Sequence, residues 1–203
     1  MVLGAVLIFG ALFLFSRNKK DEKEAELAAV NLLPLLLEKI EENNSADGTP
    51  KTYQQPISTP IDYLDDSAFE MTEVEIDGHA YIGYLSIPAL GLDLPIMADW
   101  NYGKLQIAPC RYTGSVRGED LVLMAHNYAS HFGRLAALEE GDSVIFTDMD
   151  GVVTVYQVVG QDILDPYAVE EMTSGEFDLT LFTCTYGGQS RVTVYCDRLE
   201  KKQ

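Results

Sequence analysis

The run "TLFTCTYGGQSRVTVYC", Thr180 to Cys196, decides how this chain folds. Read with the two-residue period of a β-strand, Leu179, Leu181 and Thr183 fall on one face of a first strand, and Thr180, Phe182 and Cys184 on the other. In a second strand Val192, Val194 and Cys196 make an apolar face while Arg191, Thr193 and Tyr195 point away, which makes Cys196 a core residue. Thr185 to Ser190, six residues with two adjacent glycines, would close the two strands into a hairpin. Cys184 and Arg191 then face each other at its mouth with Cβ atoms about 5 Å apart. A thiolate beside a guanidinium is suited to act as a nucleophile whose cationic neighbour stabilises negative charge.

The same alternation recurs upstream. Strands are expected over Ala80 to Ile87, Leu92 to Met97, Leu121 to His126, Ser143 to Thr147 and Val152 to Val159, then over Asp178 to Cys184 and Arg191 to Cys196, with "DMDG" (Asp148 to Gly151) as a hairpin turn. One helix is expected, from about His131 to Leu138, ending at Gly141. Many short strands with little helix predict a mainly β fold, a barrel or a sandwich.

Composition narrows the function. The 203 residues are 47% hydrophobic, enough for one ordinary core, and 32 acidic against 14 basic residues leave a formal charge of -18. Without a Lys/Arg-rich block in the folded portion, nucleic acid is excluded as a partner. The three cysteines, Cys110, Cys184 and Cys196, form no C-x-x-C pair, so neither a disulfide framework nor a thiolate zinc cage is signalled. No D-x-D-x-D-G loop is present, and no metal or other cofactor is expected.

The N-terminus carries a different signal. Val2 to Phe15 ("VLGAVLIFGALFLF") has no polar side chain. At helical rise it covers about 21 Å, short of the roughly 30 Å of a bilayer core. With no small-residue cleavage site after it, it reads as a membrane anchor (1–16) whose upstream turns are missing from this sequence. Arg17, Lys19 and Lys20 follow the run and none precedes it, which by the positive-inside tendency would hold the rest of the chain in the cytoplasm. Leu27, Val30, Leu33, Leu37 and Ile40 recur at helical spacing, so an amphipathic helix is expected from Asp21 to Glu42, kinked or broken at Pro34. A Pro/Ser/Thr/Asn/Asp-rich linker follows from Asn43 to Asp66. The expected organisation is thus anchor 1–16, helix and linker 17–67, and a globular domain 68–203.

A cysteine nucleophile needs a proton carrier. Of three histidines, His126 ends the apolar strand of "LVLMAHNYASHFGRL", where an imidazole can be partly exposed and still held by the scaffold. His131 is expected at the helix start and His79 in a polar turn before the first strand. Each histidine taken alone reads as surface or hydrogen-bonded structure.

"LMAHN" at a strand end, then "TLFTC" and an arginine opening the next strand, resembles the sortases, the cysteine transpeptidases of Gram-positive bacteria. "IGYLSIPALGLDLPIM" (Ile82 to Met97) and "APCRYTGS" (Ala108 to Ser115) resemble the opening strands of such domains and the segment leading to their histidine strand. The resemblance runs from about Tyr81 to Leu199 and implies a closed sortase-type β-barrel of about eight strands with one or two short helices. It implies Cys184 as nucleophile, His126 as acid/base and Arg191 as stabiliser of the oxyanion and of the bound peptide. Thr183 is a candidate substrate-binding residue, although its alternation onto the core-facing side favours a structural role. The implied reaction cleaves a Leu-Pro-x-Thr-Gly-like signal through a thioacyl-enzyme. It transfers the surface protein to an amine of a peptidoglycan precursor or a pilin, with hydrolysis as a side reaction. The implied location is the cell membrane, with one N-terminal anchor and the catalytic domain outside, opposite to the charge signal.

The short Cys184–Arg191 loop departs from sortases with a long pocket wall. The absence of a C-terminal apolar segment sets the chain apart from pilin-polymerising members, and "DWNYG" (Asp99 to Gly103) reads as a turn between strands, not a lid. Class B or class D-like anchoring is therefore expected. Competing readings fit less well. In a cell-wall cysteine amidase or peptidase the cysteine precedes the histidine, and an L,D-transpeptidase would show an S-x-G-C-like run. In an inert extracellular binding module Cys184 would be a buried small hydrophobe on the leucine face.

Overall fold

A computed structural model describes residues 2–46 and 70–199. Nine strands follow a long helix: β1 (Val74–Ile76), β2 (His79–Ile87), β3 (Leu92–Met97), β4 (Cys110–Thr113), β5 (Leu121–Ala125), β6 (Ser143–Asp148), β7 (Val153–Leu164), β8 (Leu179–Cys184) and β9 (Arg191–Arg198). Their order is β1-β2-β3-β4-β5-β8-β9-β7-β6, and a further β2–β6 pairing closes eight of them into a barrel with β1 added outside β2. Closure leaves β1 as the edge, only three residues long. The inward residues make one core, which includes Ile82, Leu85, Ile96, Leu123, Phe146, Tyr156, Leu181, Val194 and Cys196.

The expected strands are all present, with shifted ends. β7 runs on to Leu164 because a bulge between Val158 and Gly160 lets the ladder pass the glycine. Two strands escaped the sequence reading, β1 and β4. They are short, and β4 touches β3 at the single register pair Met97↔Cys110. His79 opens β2 and does not sit in a turn before it.

The expected helix His131–Leu138 does not form. Its place is taken by turns and a single 3-10 turn, Leu135–Ala137. Backbone groups there bond locally, Phe132 N–H to His126 O and both His131 and Gly133 N–H to Tyr128 O. A Cβ on Gly133 would lie 2.3 Å from the Asn127 carbonyl, so this tight loop requires glycine.

The N-terminal helix α1 (Val2–Ala46) is continuous and contains Pro34. The expected break is therefore absent, and the linker begins later than Asn43; residues 47–69 lie outside the described residues. The buried face also differs. Ala25, Ala29, Leu32, Leu36 and Ile40 are buried, whereas Leu27, Val30 and Leu37 of the expected stripe are exposed. Both stripes have helical periodicity; the alanine-containing one lets the helix approach the barrel closely, and Leu32, Leu36 and Ile40 pack with Tyr81, Met97, Leu105, Cys110 and Met149. Asn43 Nδ2 donates to Met149 O near its C-terminal end. At the other end the apolar residues from Ile8 to Phe15 are exposed. No helix among the described residues is long and apolar enough to cross a membrane.

Candidate active site

Three adjacent strands end together at one rim of the barrel. β5 and β8 run parallel with Val122↔Thr180, Met124↔Phe182 and Ala125↔Thr183 in register. One residue beyond that last pair stand His126, just past the end of β5, and Cys184, the last residue of β8, on strands that run about 4.8 Å apart as neighbours in a sheet do. β9 returns antiparallel, and Cys184↔Arg191 is its terminal pair with β8. Cys184 and Arg191 thus face each other, as the strand alternation predicted, and His126 follows the end of the strand next to Cys184; each of the three is half-buried.

The hairpin loop is compact. Thr185 N–H donates to Ser190 O, Ser190 N–H to Thr185 Oγ1 and Gly188 N–H to Thr185 O. Gly187 and Gly188 both have positive φ, which explains the two glycines. Arg191 Nη1 donates to the carbonyls of Gly188 and Ser190, each at 3.2 Å, so the loop backbone holds the guanidinium beside Cys184. Thr183 is buried and its hydroxyl donates to Ala125 O at 2.8 Å. This bond crosses between the strands one residue before Cys184 and His126.

The other two thiols are of another kind. Cys196 is fully buried in the main core; Cys110 is fully buried in the separate cluster under α1 and donates to Ala108 O. Burial pushes both up to about 12. All three cysteines are free.

Burial lowers the pKa of His126, against a smaller upward pull from Asp21 of α1. Its ring lies 4.8 Å from that of Tyr128, which in turn lies 5.5 Å from that of His131. His131 is wholly buried, and neither ring nitrogen makes a hydrogen bond of good geometry among the described residues, although the Ile107 backbone is close enough to act on it. Burial first and then the neighbouring His126 push its pKa down to about 4, against weaker pulls from Glu22 and the Ile107 backbone. Sequence reasoning missed Tyr128 and the acidic pair Asp21–Glu22. The first is one of eleven tyrosines, and the second lies over a hundred residues from the loop it meets.

On the face that carries Cys184, Val122, Phe182 and Met172 form a small apolar cluster with Tyr112, Met124 and Leu164. Met172 comes from the short helix α3 (Val169–Met172). Trp100 stacks on Tyr112, whose ring meets Phe182 edge-on. Asp99 pairs with Lys104 of α2 (Tyr102–Leu105), which Asn101 caps. "DWNYG" is therefore a bend leading into a helical turn.

The Sortase domain pattern matches residues 85–199. The chain belongs to the sortase family. Among solved structures, this sortase is similar to sortase C from Clostridium perfringens SM101, at 24% identity over 82% of this chain and 88% of that one, with a TM-score of 0.55. Sortase C of Streptococcus pneumoniae, described with pilin substrate specificity, aligns at 25% identity over 82% and 89%, TM-score 0.54. Sortase A from Corynebacterium diphtheriae aligns at 20% identity over 95% and 97%, TM-score 0.56. No curated protein matches. A Clostridium perfringens sortase D5 transpeptidase aligns at 0.54, so fold likeness does not separate the sortase classes. The family assignment makes the chain a member of a cysteine transpeptidase family built on a closed β-barrel.

Proposed function

We propose that this sortase is a membrane-tethered cysteine transpeptidase that attaches surface proteins to a cell-wall amine. The observation that carries the reading is the register: Ala125↔Thr183 and Cys184↔Arg191 bring imidazole, thiol and guanidinium to one rim. Cys184 loses its proton to His126, and the thiolate attacks the Thr carbonyl carbon of a Leu-Pro-x-Thr-Gly-like signal. Arg191 stabilises the resulting oxyanion. His126, whose pKa burial lowers, then gives the proton to the leaving Gly amine as the C–N bond breaks. The thioacyl carbonyl is next attacked by the acceptor amine. His126 takes the amine proton, the C–S bond breaks and Cys184 is restored. Water in place of the amine gives hydrolysis.

A class B or class D-like anchoring role fits the compact β8–β9 loop and the tie of the Asp99–Trp100 bend to the domain through the Asp99–Lys104 pair and the Trp100–Tyr112 stack. The exposed apolar turns from Ile8 to Phe15 support association with a membrane, with the catalytic domain on its outer side. Domain limits of 1–16, 17–67 and 68–203 remain part of this proposal, with α1 spanning the first two. The test is mass spectrometry of the full chain in detergent with sorting-signal peptides and a peptidoglycan-bridge amine, beside Cys184→Ala. A Thr-to-amine product absent from the variant supports transpeptidation; no acyl adduct with any peptide would move the weight to an inert binding module.

A further inference from the structure

The loop that carries His126 is met from outside by α1. Glu22 Oε1 accepts a 2.8 Å hydrogen bond from the backbone N–H of Ala129, three positions after the histidine. The other carboxylate oxygen, Oε2, pairs with Lys19 at 3.3 Å, and the Glu22 side chain is only 18% exposed. Asp21, the preceding residue, is close enough to act electrostatically on both His126 and Tyr128.

Close packing does not make this junction. A cleft of about 800 Å³ opens between α1 and the barrel at Ala129, Ser130 and Arg134, and Glu22 lines it. A charge-assisted bond at 2.8 Å across such a cleft restrains the loop where apolar contact cannot. The rest of the loop is tied to itself through Tyr128 O and His126 O, and Arg134 joins Ala129 O to Leu90 O on the barrel side, so the Glu22 bond to the Ala129 amide supplies the matching restraint from α1, with Tyr128 held against the imidazole.

We propose that Glu22 is a positioning residue for the transpeptidase reaction, acting through the Ala129 amide to hold the His126 loop in its working geometry. The inference rests on the acid/base role given to His126 above. It makes α1 a working part of the active site as well as a tether.

The experiment uses the full chain in detergent, with Glu22→Ala and Glu22→Gln. Amide exchange at Ala129 should speed up about tenfold or more in Glu22→Ala, the loss expected for a hydrogen bond to a charged acceptor. The kcat should fall about tenfold with KM unchanged, because substrate contacts are untouched, and Glu22→Gln, which keeps an acceptor oxygen, should recover most of both losses. Unchanged Ala129 exchange in Glu22→Ala, or faster exchange with unaltered kcat, would overturn the proposal, as would Glu22→Gln behaving like alanine. If no peptide turns over even in the unmodified chain, the transpeptidase reading fails, whereas the exchange data still report whether the Glu22 bond holds the loop.

Discussion

Thr183 donates its hydroxyl to the carbonyl of Ala125, and this 2.8 Å bond joins two parallel strands one residue short of Cys184 and His126. Its position ties the two strands together immediately before the thiol and the imidazole of the proposed site. In Thr183→Val the shape is kept and the bond is lost. Stability should fall by about 1–2 kcal/mol, and kcat should fall about tenfold through misalignment of thiol and imidazole. Denaturant unfolding and steady-state kinetics check the two effects separately.

Thiol chemistry should single out one residue. Cys110 and Cys196 are fully buried with pKa values near 12, whereas Cys184 is half-buried at a strand end. Iodoacetamide at neutral pH should modify Cys184 alone in the folded protein, and Cys184→Ala should take up almost none. Peptide mapping of the labelled protein reads this directly.

The arginine is held by two carbonyls through Nη1, which leaves the rest of its planar donor fork, absent from lysine, to meet an oxyanion. Arg191→Ala should lower kcat by about 10²–10³-fold if it carries the oxyanion, and Arg191→Lys should recover only a small part. Folding stability should change little for either, since the side chain lies at the rim.

Acid should weaken the fold through His131. Its folded pKa of about 4 lies below the ordinary 6.5, so between those values the unfolded chain binds more protons. The stability is fully present above pH 6.5 and is lost as pH falls toward 4, reaching a loss of about 2 kcal/mol at pH 5. His126, also lowered, acts in the same direction. Comparing urea unfolding at pH 7.5 and pH 5, His131→Phe should show a smaller acid loss than the parent chain.

Docking of α1 should depend on Leu36, which has no exposed surface in its site among Tyr81, Met97 and Met149. Leu36→Ala should cost about 2–4 kcal/mol. Amide exchange along α1 should rise before the barrel loosens.

Much of the site could be read from residue order because hairpin register is a local property. Two-residue alternation and a six-residue loop suffice to oppose Cys184 and Arg191. The neighbourhood of His126 and Cys184 is different in kind. It depends on a parallel pairing of strands some sixty residues apart, and only the family resemblance brought those two together. The His131 helix failed because backbone bonds to Tyr128 and His126 outcompeted helical ones, a tertiary effect on a segment with acceptable propensity. The buried face of α1 was misread because leucines outweigh alanines in any hydrophobic count, while close approach to the barrel favours alanine.

The continuity of α1 from its apolar turns to the His126 loop has a mechanical consequence. Between Phe15 and Glu22 the helix is unbroken, so the apolar turns and the rim that carries Cys184 are geared to one another through helical phase. Each residue contributes about 100° of rotation and 1.5 Å of rise. Inserting one residue there would swing the apolar face about a quarter turn relative to Cys184 while hardly changing its height, whereas inserting seven would nearly restore the azimuth and add about 10 Å of reach.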